Sequence, residues 1–254
     1  MKLTIFGCCR QDSLYKYYNV STIRDELTYP HYSSEALQAM RFCAGLIDEK
    51  AIATDFMFRS LVISNKKINY KKLHDDFKST DLFAVEIATR KCYKFKGLFL
   101  HHICEEVSYG CNFFDEVSVV DLSDEEIEND ILAMRSLVWP KKFFLITHFY
   151  TRLSGKRYEL VCALKKIGRK LGIPVFDPVE AVGGVQKILP LLVDEPVCHH
   201  YNLIGHSVIR KLYTTFIREN FGLGLVWHKP YTSKINSIYK IFRHKLIIGL
   251  RALF

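Results

Sequence analysis

The sequence predicts an α/β fold, namely a three-layer α/β/α sandwich around a mostly parallel sheet of about five strands. Two observations lead to this prediction. Short apolar runs rich in strand-forming residues recur along the chain, and segments with helix signals separate them. Strands that alternate with helices form parallel sheets covered on both faces, and right-handed crossovers make such a sheet doubly wound. The predicted strands are residues 2–6, 61–64, 82–87, 143–147 and 173–176.

Helix start and stop signals lie between these runs. Ser33 or Ser34 can cap a helix near its first acidic residue. Ser123 and Glu126 have the spacing of a capping box, in which each side chain accepts a hydrogen bond from the other residue's backbone N–H. The remaining predicted elements are a basic, helix-compatible connector over residues 66–79, a hairpin around Lys96 and Gly97, a helix over residues 157–171 that ends at Gly172, and a helix over residues 202–219.

The composition is that of a globular protein. The chain has 254 residues, of which 49% are hydrophobic and 25% are charged, which suits one large domain with an appendage. We predict a domain over residues 1–220 and a basic extension over residues 221–254. The formal net charge of +9 favours an anionic partner. No nucleic-acid-binding motif accompanies that charge, so we do not expect nucleic acid as the partner.

Cysteine usage and the start of the chain indicate the compartment. The eight cysteines include no C-x-x-C pair, which fits a protein kept reduced in the cytoplasm. The chain enters a strand without a basic and apolar leader, and it has no run of about 18 apolar residues. We therefore expect a cytoplasmic protein. We expect no metal, because the His and Cys clusters at residues 101–104 and 198–200 lack the paired half-sites of structural zinc.

The last segment, residues 234–254, has the pattern of a basic amphipathic helix. Such a helix can lie on an anionic membrane surface, which would place the protein at the inner face of a membrane. The alternative is an ordinary helix that packs its apolar side on the domain. The apolar side carries Ile235, Ile238, Tyr239, Phe242, Leu246, Leu250 and Leu253, and the basic side carries Lys240, Arg243, His244 and Arg251.

The loop after the first strand carries two adjacent thiols. Gly7 ends the strand, and Cys8, Cys9 and Arg10 follow. In an open α/β sheet this loop lies at the carboxyl edge, where ligands bind. The two cysteines are therefore either a nucleophile with a neighbour or two small buried residues. The polar residues expected at the ends of the other strands are Asn65, Thr89, Arg90, His148 and Asp177.

A second informative block covers residues 198–206, with the sequence CHHYNLIGH. The order His200, Asn202 and Gly205 before a helix resembles the last block of SGNH (GDSL-like) hydrolases. In that superfamily the catalytic histidine precedes a helix in an H-x-N-x-x-G pattern. The resemblance covers most of residues 1–220 in strand order, and it implies a sheet of the flavodoxin or SGNH kind.

The resemblance extends to the opening loop. In SGNH proteins the nucleophile follows a glycine at the end of the first strand, as in G-D-S, and here Cys9 falls at the serine position. A cysteine there is similar to two SGNH-like groups, the GSCFA proteins and the WcbI-type capsular polysaccharide biosynthesis proteins. This implies an acyltransferase or esterase that acts on a glycan. The implied donor is coenzyme A carrying an acetyl group, and the implied partner is a glycan or a lipid- or nucleotide-linked sugar.

In this interpretation Cys9 attacks the acyl carbonyl and His200 shuttles the proton, which a Cys–His pair can do without a carboxylate. The usual SGNH aspartate position is occupied by Val197, so Asp177 and Asp194 are the candidates for an orienting carboxylate. Arg90, Lys91 and Arg152 are candidates for binding the donor's phosphates. The residues expected to form the oxyanion hole or to bind substrate are Gly7, Cys8, Arg10, Thr89, Arg90, His148 and Asn202.

Several alternatives stay open. Ser13, in the sequence D-S-L, is a second candidate nucleophile, and His199 or His206 can replace His200 as the base. Cys8 is expected to be a structural neighbour of Cys9. The rival function is a non-catalytic module that binds a glycan or a nucleotide sugar on the same fold, which the missing SGNH aspartate favours.

Overall fold

The computed structural model of the protein describes residues 1–11, 14, 20–21, 23–64, 67–193 and 200–223, without the side chains of Cys9, Arg24 and Asp25. The strands are β1 (Leu3–Phe6), β2 (Leu82–Ile87), β3 (Lys91–Phe95), β4 (Leu98–Phe99), β5 (Ser118–Asp121), β6 (Lys142–Thr147), β7 (Val175–Phe176), β8 (Leu192–Val193) and β9 (His200–Tyr201). The helices are α1 (Ile23–Glu26), α2 (Ser33–Cys43), α3 (Arg59–Ser64), α4 (Tyr70–Lys78), α5 (Asp124–Val138), α6 (Lys156–Leu171), α7 (Pro178–Ala181), α8 (Val185–Ile188) and α9 (Leu203–Phe221).

The central sheet is parallel, with the strand order β1-β2-β6-β7. Successive residues of a strand point to opposite faces, and here both faces are apolar because helices cover both. In β2, Phe83 and Val85 pack on one face, and Leu82 and Ala84 pack on the other. Helices α2, α4, α5 and α6 contribute to the apolar core on the face of Phe83 and Val85. Helices α7, α8 and α9 contribute to the core on the face of Leu82 and Ala84. The predicted α/β sandwich is confirmed.

The predicted strand at residues 61–64 is wrong, because these residues belong to helix α3. So short an apolar run has no periodicity that separates a buried strand from a helical turn. Tertiary contacts decide between them. The backbone N–H of Ser60 donates to the carbonyl of Leu27 at 3.0 Å, and its hydroxyl donates to the same carbonyl at 2.6 Å. The central sheet therefore has four strands in the described part of the chain instead of five. Asn65 lies outside the described residues.

A separate antiparallel sheet, with the strand order β4-β3-β5, follows β2. Lys96 and Gly97 form the predicted hairpin turn, with φ angles of 49° and 81°. Positive φ at both central residues is typical of the type I′ turn that joins tight hairpins. Strand β5 was not among the predicted strands. All four residues of its sequence, SVVD, are exposed, and the strand lacks the alternation of a half-buried one.

Most helix ends follow the predicted signals. Helix α5 begins at the reciprocal capping box of Ser123 and Glu126. Helix α6 ends at Gly172, whose φ of 63° lies in the left-handed region that glycine tolerates. Asn202 caps α9, the predicted last helix of the domain.

The predicted cap of helix α2 is wrong. Tyr32 precedes the helix and makes no side-chain cap. The hydroxyls of Ser33 and Ser34 instead donate to Asp130 Oδ2, at 2.7 and 2.6 Å. These two bonds tie α2 to α5, so the serines serve tertiary packing and not the helix terminus.

None of the helices in the described part of the chain is long and apolar enough to cross a membrane. The amphipathic helix predicted at residues 234–254 lies outside the described residues, as does most of the extension over residues 221–254. Both stay predictions, and so does the domain boundary at residue 220.

Candidate active site

Three neighbouring strands bring a thiol, a carboxylate and an imidazole together. Cys8 lies two residues beyond β1, Glu86 lies near the end of β2, and His148 directly follows β6. The Cys8 sulfur, a Glu86 oxygen and a His148 nitrogen all lie within 4.8 Å of one another. The exposed fractions of these residues are 0%, 1% and 2%. We call this trio the Cys8 cluster.

Glu86 is the centre of the hydrogen bonding in the Cys8 cluster. Its Oε2 accepts from the backbone N–H of Cys8 at 3.0 Å and from Gln11 Nε2 at 2.9 Å. Its Oε1 lies 3.0 Å from His148 Nδ1. Burial alone would raise the pKa of Glu86, but the contacts with His148 and Cys8 and the nearby Arg10 lower it to about 2. Glu86 is therefore a carboxylate at neutral pH.

His148 is held as a neutral ring of defined orientation. Burial, and then the positive charge of Arg10, lower the pKa of His148 to about 4. A neutral ring that faces an ionised Glu86 donates its Nδ1–H, so Nε2 carries the free lone pair. The ring stacks on Phe149, with 4.8 Å between the centroids. His148 can therefore accept a proton at Nε2.

Arg10 supplies positive charge to the thiol. Its Nη1 donates to Cys8 Sγ at 3.2 Å, and its guanidinium lies 5.3 Å from the centroid of the Phe149 ring. A cation beside a cysteine stabilises the thiolate, which is the nucleophilic form. Covalent catalysis uses a nucleophile, a base and a group that orients the base, and the Cys8 cluster holds side chains whose chemistry suits these three roles.

Helix α9 supports this arrangement, since it packs on the face of the sheet to which Glu86 belongs by the alternation of β2. Tyr213 donates its hydroxyl to Gln11 Oε1 at 2.7 Å, which leaves Gln11 Nε2 directed at Glu86. The Tyr213 ring stacks on Phe176 of β7, with 4.0 Å between the centroids. The orientation of Glu86 therefore depends on α9 as well as on the strand ends.

Only glycine fits at position 7, because the backbone there passes close to the Glu86 side chain. A Cβ atom at this position would lie 2.8 Å from Glu86 Cβ, which is shorter than carbon atoms tolerate. We predict that Gly7→Ala displaces Glu86 and lowers the free energy of unfolding by about 1–3 kcal/mol. The activity of the molecules that remain folded should fall as well, because Glu86 is out of place. Urea denaturation and an activity assay check this prediction. Gly97→Ala meets no atom within 4 Å and strains only the distant hairpin, so it should lose stability but keep activity in the folded fraction.

An open cleft of about 540 Å³ lies over the same edge of the sheet. Its walls follow β2 and β6, a few residues beyond Glu86 and His148. Helix α6 begins in the wall, and the first N–H groups of a helix attract anions. Arg90 is fixed by Asp124, and Lys156 Nζ lies 2.8 Å from Asp121. The lining residues are Ala88, Thr89, Arg90, Asp121, Tyr150, Thr151, Arg152, Ser154, Gly155, Lys156, Arg157 and Leu160.

The residues expected at the oxyanion hole or substrate site divide into three groups. Gly7, Cys8, Arg10 and His148 come together around Glu86, and Thr89 and Arg90 line the cleft. Asn202 is the cap of α9. Its Oδ1 accepts from the N–H of Gly205, and its Nδ2 donates to the carbonyl of Pro190, both at 2.8 Å.

The block that suggested His200 as the base has structural roles of its own. A Cβ atom on Gly205 would lie 2.2 Å from the carbonyl oxygen of Leu191, so only glycine fits there. His200 is half-buried in β9 and pairs with Val193.

Asp177, a candidate for the orienting carboxylate, has a structural role. It caps α7 by accepting from two backbone N–H groups, and it lies 2.6 Å from Lys165 Nζ.

The pairing of Cys9 with His200 stays a prediction, because the Cys9 side chain is not described. Asp194, His199 and Ser13 lie outside the described residues. The backbone of residues 9–11 forms a 3-10 turn, closed by the N–H of Gln11 on the carbonyl of Cys8 at 3.1 Å. Cys8 was expected to be a structural neighbour of Cys9 within the oxyanion or substrate site, and its sulfur lies beside Glu86 and His148. Glu86 was not among the predicted site residues, because the sequence around it has the pattern of an apolar strand.

Comparisons with known proteins give a family likeness for the first part of the chain. The model of the TviD N-terminal domain family matches residues 1–115, a range that includes Cys8 and Glu86 but not His148. No curated protein matches the chain. Among solved structures, LAE5, an α/β hydrolase enzyme from the metagenome of Lake Arreo in Spain, is 14% identical. The match covers 85% of this chain and 94% of that one, with a TM-score of 0.41.

Proposed function

We propose that this protein is an acyltransferase that moves an acetyl group from acetyl-CoA to a hydroxyl of a glycan during capsular polysaccharide biosynthesis. The observation that carries the proposal is the Cys8 cluster, a buried thiol with an oriented neutral base and a neighbouring cation. The likeness of residues 1–115 to the TviD N-terminal domain, a family related to Vi capsular polysaccharide biosynthesis, supports the choice of acceptor.

In the first step the Cys8 thiolate attacks the carbonyl carbon of the acetyl thioester. The proton of the thiol passes to His148 Nε2, and Glu86 stabilises the imidazolium that forms. The tetrahedral intermediate collapses and expels the coenzyme A thiolate, which takes the proton back from His148. The products are acetyl-Cys8 and coenzyme A. The backbone N–H groups of Cys9 and Arg10 are the candidates for holding the oxyanion, since those of Cys8 and Gln11 already donate to Glu86 and to the Cys8 carbonyl.

In the second step a glycan hydroxyl attacks acetyl-Cys8. His148 Nε2 accepts the hydroxyl proton and returns it to the Cys8 sulfur as the thioester breaks. The products are an O-acetyl ester and the free thiol. Water in place of the glycan would give hydrolysis, so exclusion of water decides between transferase and esterase activity. Because Cys8 is fully buried, the site must open to admit the donor.

The cleft is the proposed binding site for the phosphates of coenzyme A. Arg90, Arg152, Lys156 and Arg157 give its lining a positive charge, and the N-terminus of α6 adds its dipole. The cytoplasmic location and the contact of residues 234–254 with an anionic membrane surface remain proposals of the same account. Both would place the enzyme where lipid-linked glycans are assembled.

We predict that Arg152→Gln raises the KM for acetyl-CoA roughly tenfold, because one charge-assisted contact with phosphate is lost. kcat should stay within about twofold, since Arg152 lies outside the Cys8 cluster. The assay follows thiol release from acetyl-CoA, with a de-O-acetylated capsular oligosaccharide as acceptor. Lys211→Gln, which removes an exposed charge from α9, is the matched control. An unchanged KM in Arg152→Gln would place the phosphates elsewhere.

A further inference from the structure

Three histidines form a second cluster beside the cleft edge of the sheet. His31 precedes α2, and His101 and His102 lie after β4. The ring centroids lie 4.2 Å apart for His31 and His102, 4.3 Å for His101 and His102, and 5.2 Å for His31 and His101. One ring nitrogen from each residue lies within 4.8 Å of the other two. We call this trio the histidine cluster.

Each of the three rings has a buried nitrogen without a hydrogen-bond partner in the described part of the chain. These atoms are His31 Nδ1, His101 Nε2 and His102 Nδ1. His101 is only 1% exposed. A buried polar atom without a partner costs free energy, so three of them in one place call for a ligand. Burial lowers the pKa of all three rings, which leaves them neutral and able to offer a lone pair.

The backbone holds the three rings firmly. The carbonyl of His31 accepts from the N–H groups of Ala88 and Thr89, at 2.8 and 3.1 Å, at the end of β2. The N–H of His101 donates to the carbonyl of Phe56 at 2.8 Å. The cluster is therefore built on the main chain of the central sheet and its flanking loops, and not on free surface side chains.

The surroundings of His102 suit a metal ligand. Its Nε2 faces Glu106 Oε1 at 3.8 Å, and its Nδ1 is directed inward. A ligating histidine commonly offers one nitrogen to the metal and the other to a carboxylate, which sets the tautomer. His101 differs, since its Nδ1 accepts from the N–H of Ile103 at 3.2 Å. Ligation through Nε2 gives up that one cap bond, a small cost beside coordination of a metal.

We propose that His31, His101 and His102 form a binding site for a divalent transition-metal ion, with Zn²⁺ as the natural occupant. Imidazole nitrogens are favoured ligands of zinc, and three protein ligands leave a fourth position for water or a substrate oxygen. The Cys8 cluster is the competing location for a metal. There, both Glu86 oxygens and His148 Nδ1 already have hydrogen-bond partners, so a metal that used these atoms would have to replace those bonds.

The test uses the full chain after removal of bound metal with a chelator. Isothermal titration with Zn²⁺ should show one site per chain, and Co²⁺ should give visible absorption without the near-ultraviolet band of a thiolate ligand. His31→Gln and His102→Gln should weaken binding by more than the ~10- to 100-fold that loss of an outer-sphere partner costs. His74→Gln, which changes a half-buried histidine of α4, and Cys8→Ala should bind as the wild type does.

Absence of saturable Zn²⁺ binding in the wild type would overturn the proposal. So would binding that survives in both histidine variants, or a thiolate band that disappears in Cys8→Ala. Circular dichroism of each variant establishes that it is folded. For a variant that does not fold, the melting temperature of the wild type with and without Zn²⁺ replaces the titration, and an unchanged melting temperature contradicts the site.

Discussion

Replacing Cys8 with alanine is expected to lower kcat by about 1,000-fold or more, since no acyl-enzyme can form without the thiol. The fold should survive, because the change removes one small buried atom. Thiol release from acetyl-CoA in the presence of the glycan acceptor measures the loss. Cys162→Ala, at an exposed cysteine of α6, is the matched control and should keep full activity.

Cys9→Ala is the informative companion to Cys8→Ala. If catalysis takes place in the Cys8 cluster, Cys9→Ala retains most activity. The motif resemblance, which pairs Cys9 with His200, expects the reverse. An active Cys8→Ala variant and an inactive Cys9→Ala variant would therefore overturn the assignment of the nucleophile while leaving acyl transfer intact.

Glu86→Gln is expected to lower kcat roughly 1,000- to 10,000-fold by changing the tautomer of His148. The carboxylate accepts the Nδ1–H of His148, which keeps Nε2 basic. A carboxamide can turn its NH₂ group toward Nδ1, and the ring then carries its proton on Nε2 and has no base to offer. Glu125→Gln, on the exposed face of α5, is the matched control. Wild-type activity in Glu86→Gln would rule out this role for Glu86.

The same variant should also lose about 1–3 kcal/mol of stability, because three N–H groups lose an ionised acceptor. The pKa of Glu86 in the folded protein is about 2, below the ordinary value of 4.5. Its contribution is therefore fully present above pH 4.5 and is lost as the pH falls toward 2. Denaturation at several pH values should show the wild type and the variant converging in acid. If the difference in stability between the wild type and Glu86→Gln grew on acidification, Glu86 would not be ionised in the folded protein.

The secondary structure was largely predictable because both faces of the sheet are covered. β2 and β6 then appear as continuous apolar runs, and the capping box of α5 and Gly172 mark helix ends by local chemistry. Residues 61–64 are a short run with the same local character, and they continue a helix whose second residue, Ser60, is bonded to the carbonyls of Glu26 and Leu27. Contacts of that kind are not encoded in local periodicity.

The site was predictable in part. Loops at strand ends were expected to gather Gly7, Cys8, Arg10 and His148, and they do. Their pairing depends on β1, β2 and β6 lying side by side, an order that the sequence does not specify. The available signal for Glu86 was a carboxylate in the buried run LFAVEI, since charged residues are almost never buried without a partner.

The choice between the two cysteines depended on the loop conformation. An extended loop would have turned Cys8 away from Cys9 and left Cys8 as packing. The chain instead forms a 3-10 turn over residues 9–11, and the backbone N–H of Cys8 donates a hydrogen bond to Glu86 Oε2. A turn of this kind is set by the tertiary contacts of Gln11 with Glu86 and Tyr213, which lie far away in sequence.

The most direct test is to mix the protein with acetyl-CoA without a glycan acceptor, quench in acid and map the modified peptide by mass spectrometry. An acetyl thioester on Cys8 is expected to form in the wild type, to be absent in Cys8→Ala and to disappear when the glycan acceptor is added. An acetyl group on Cys9 or Ser13, or full transfer to the glycan by Cys8→Ala, would show that Cys8 is not the nucleophile.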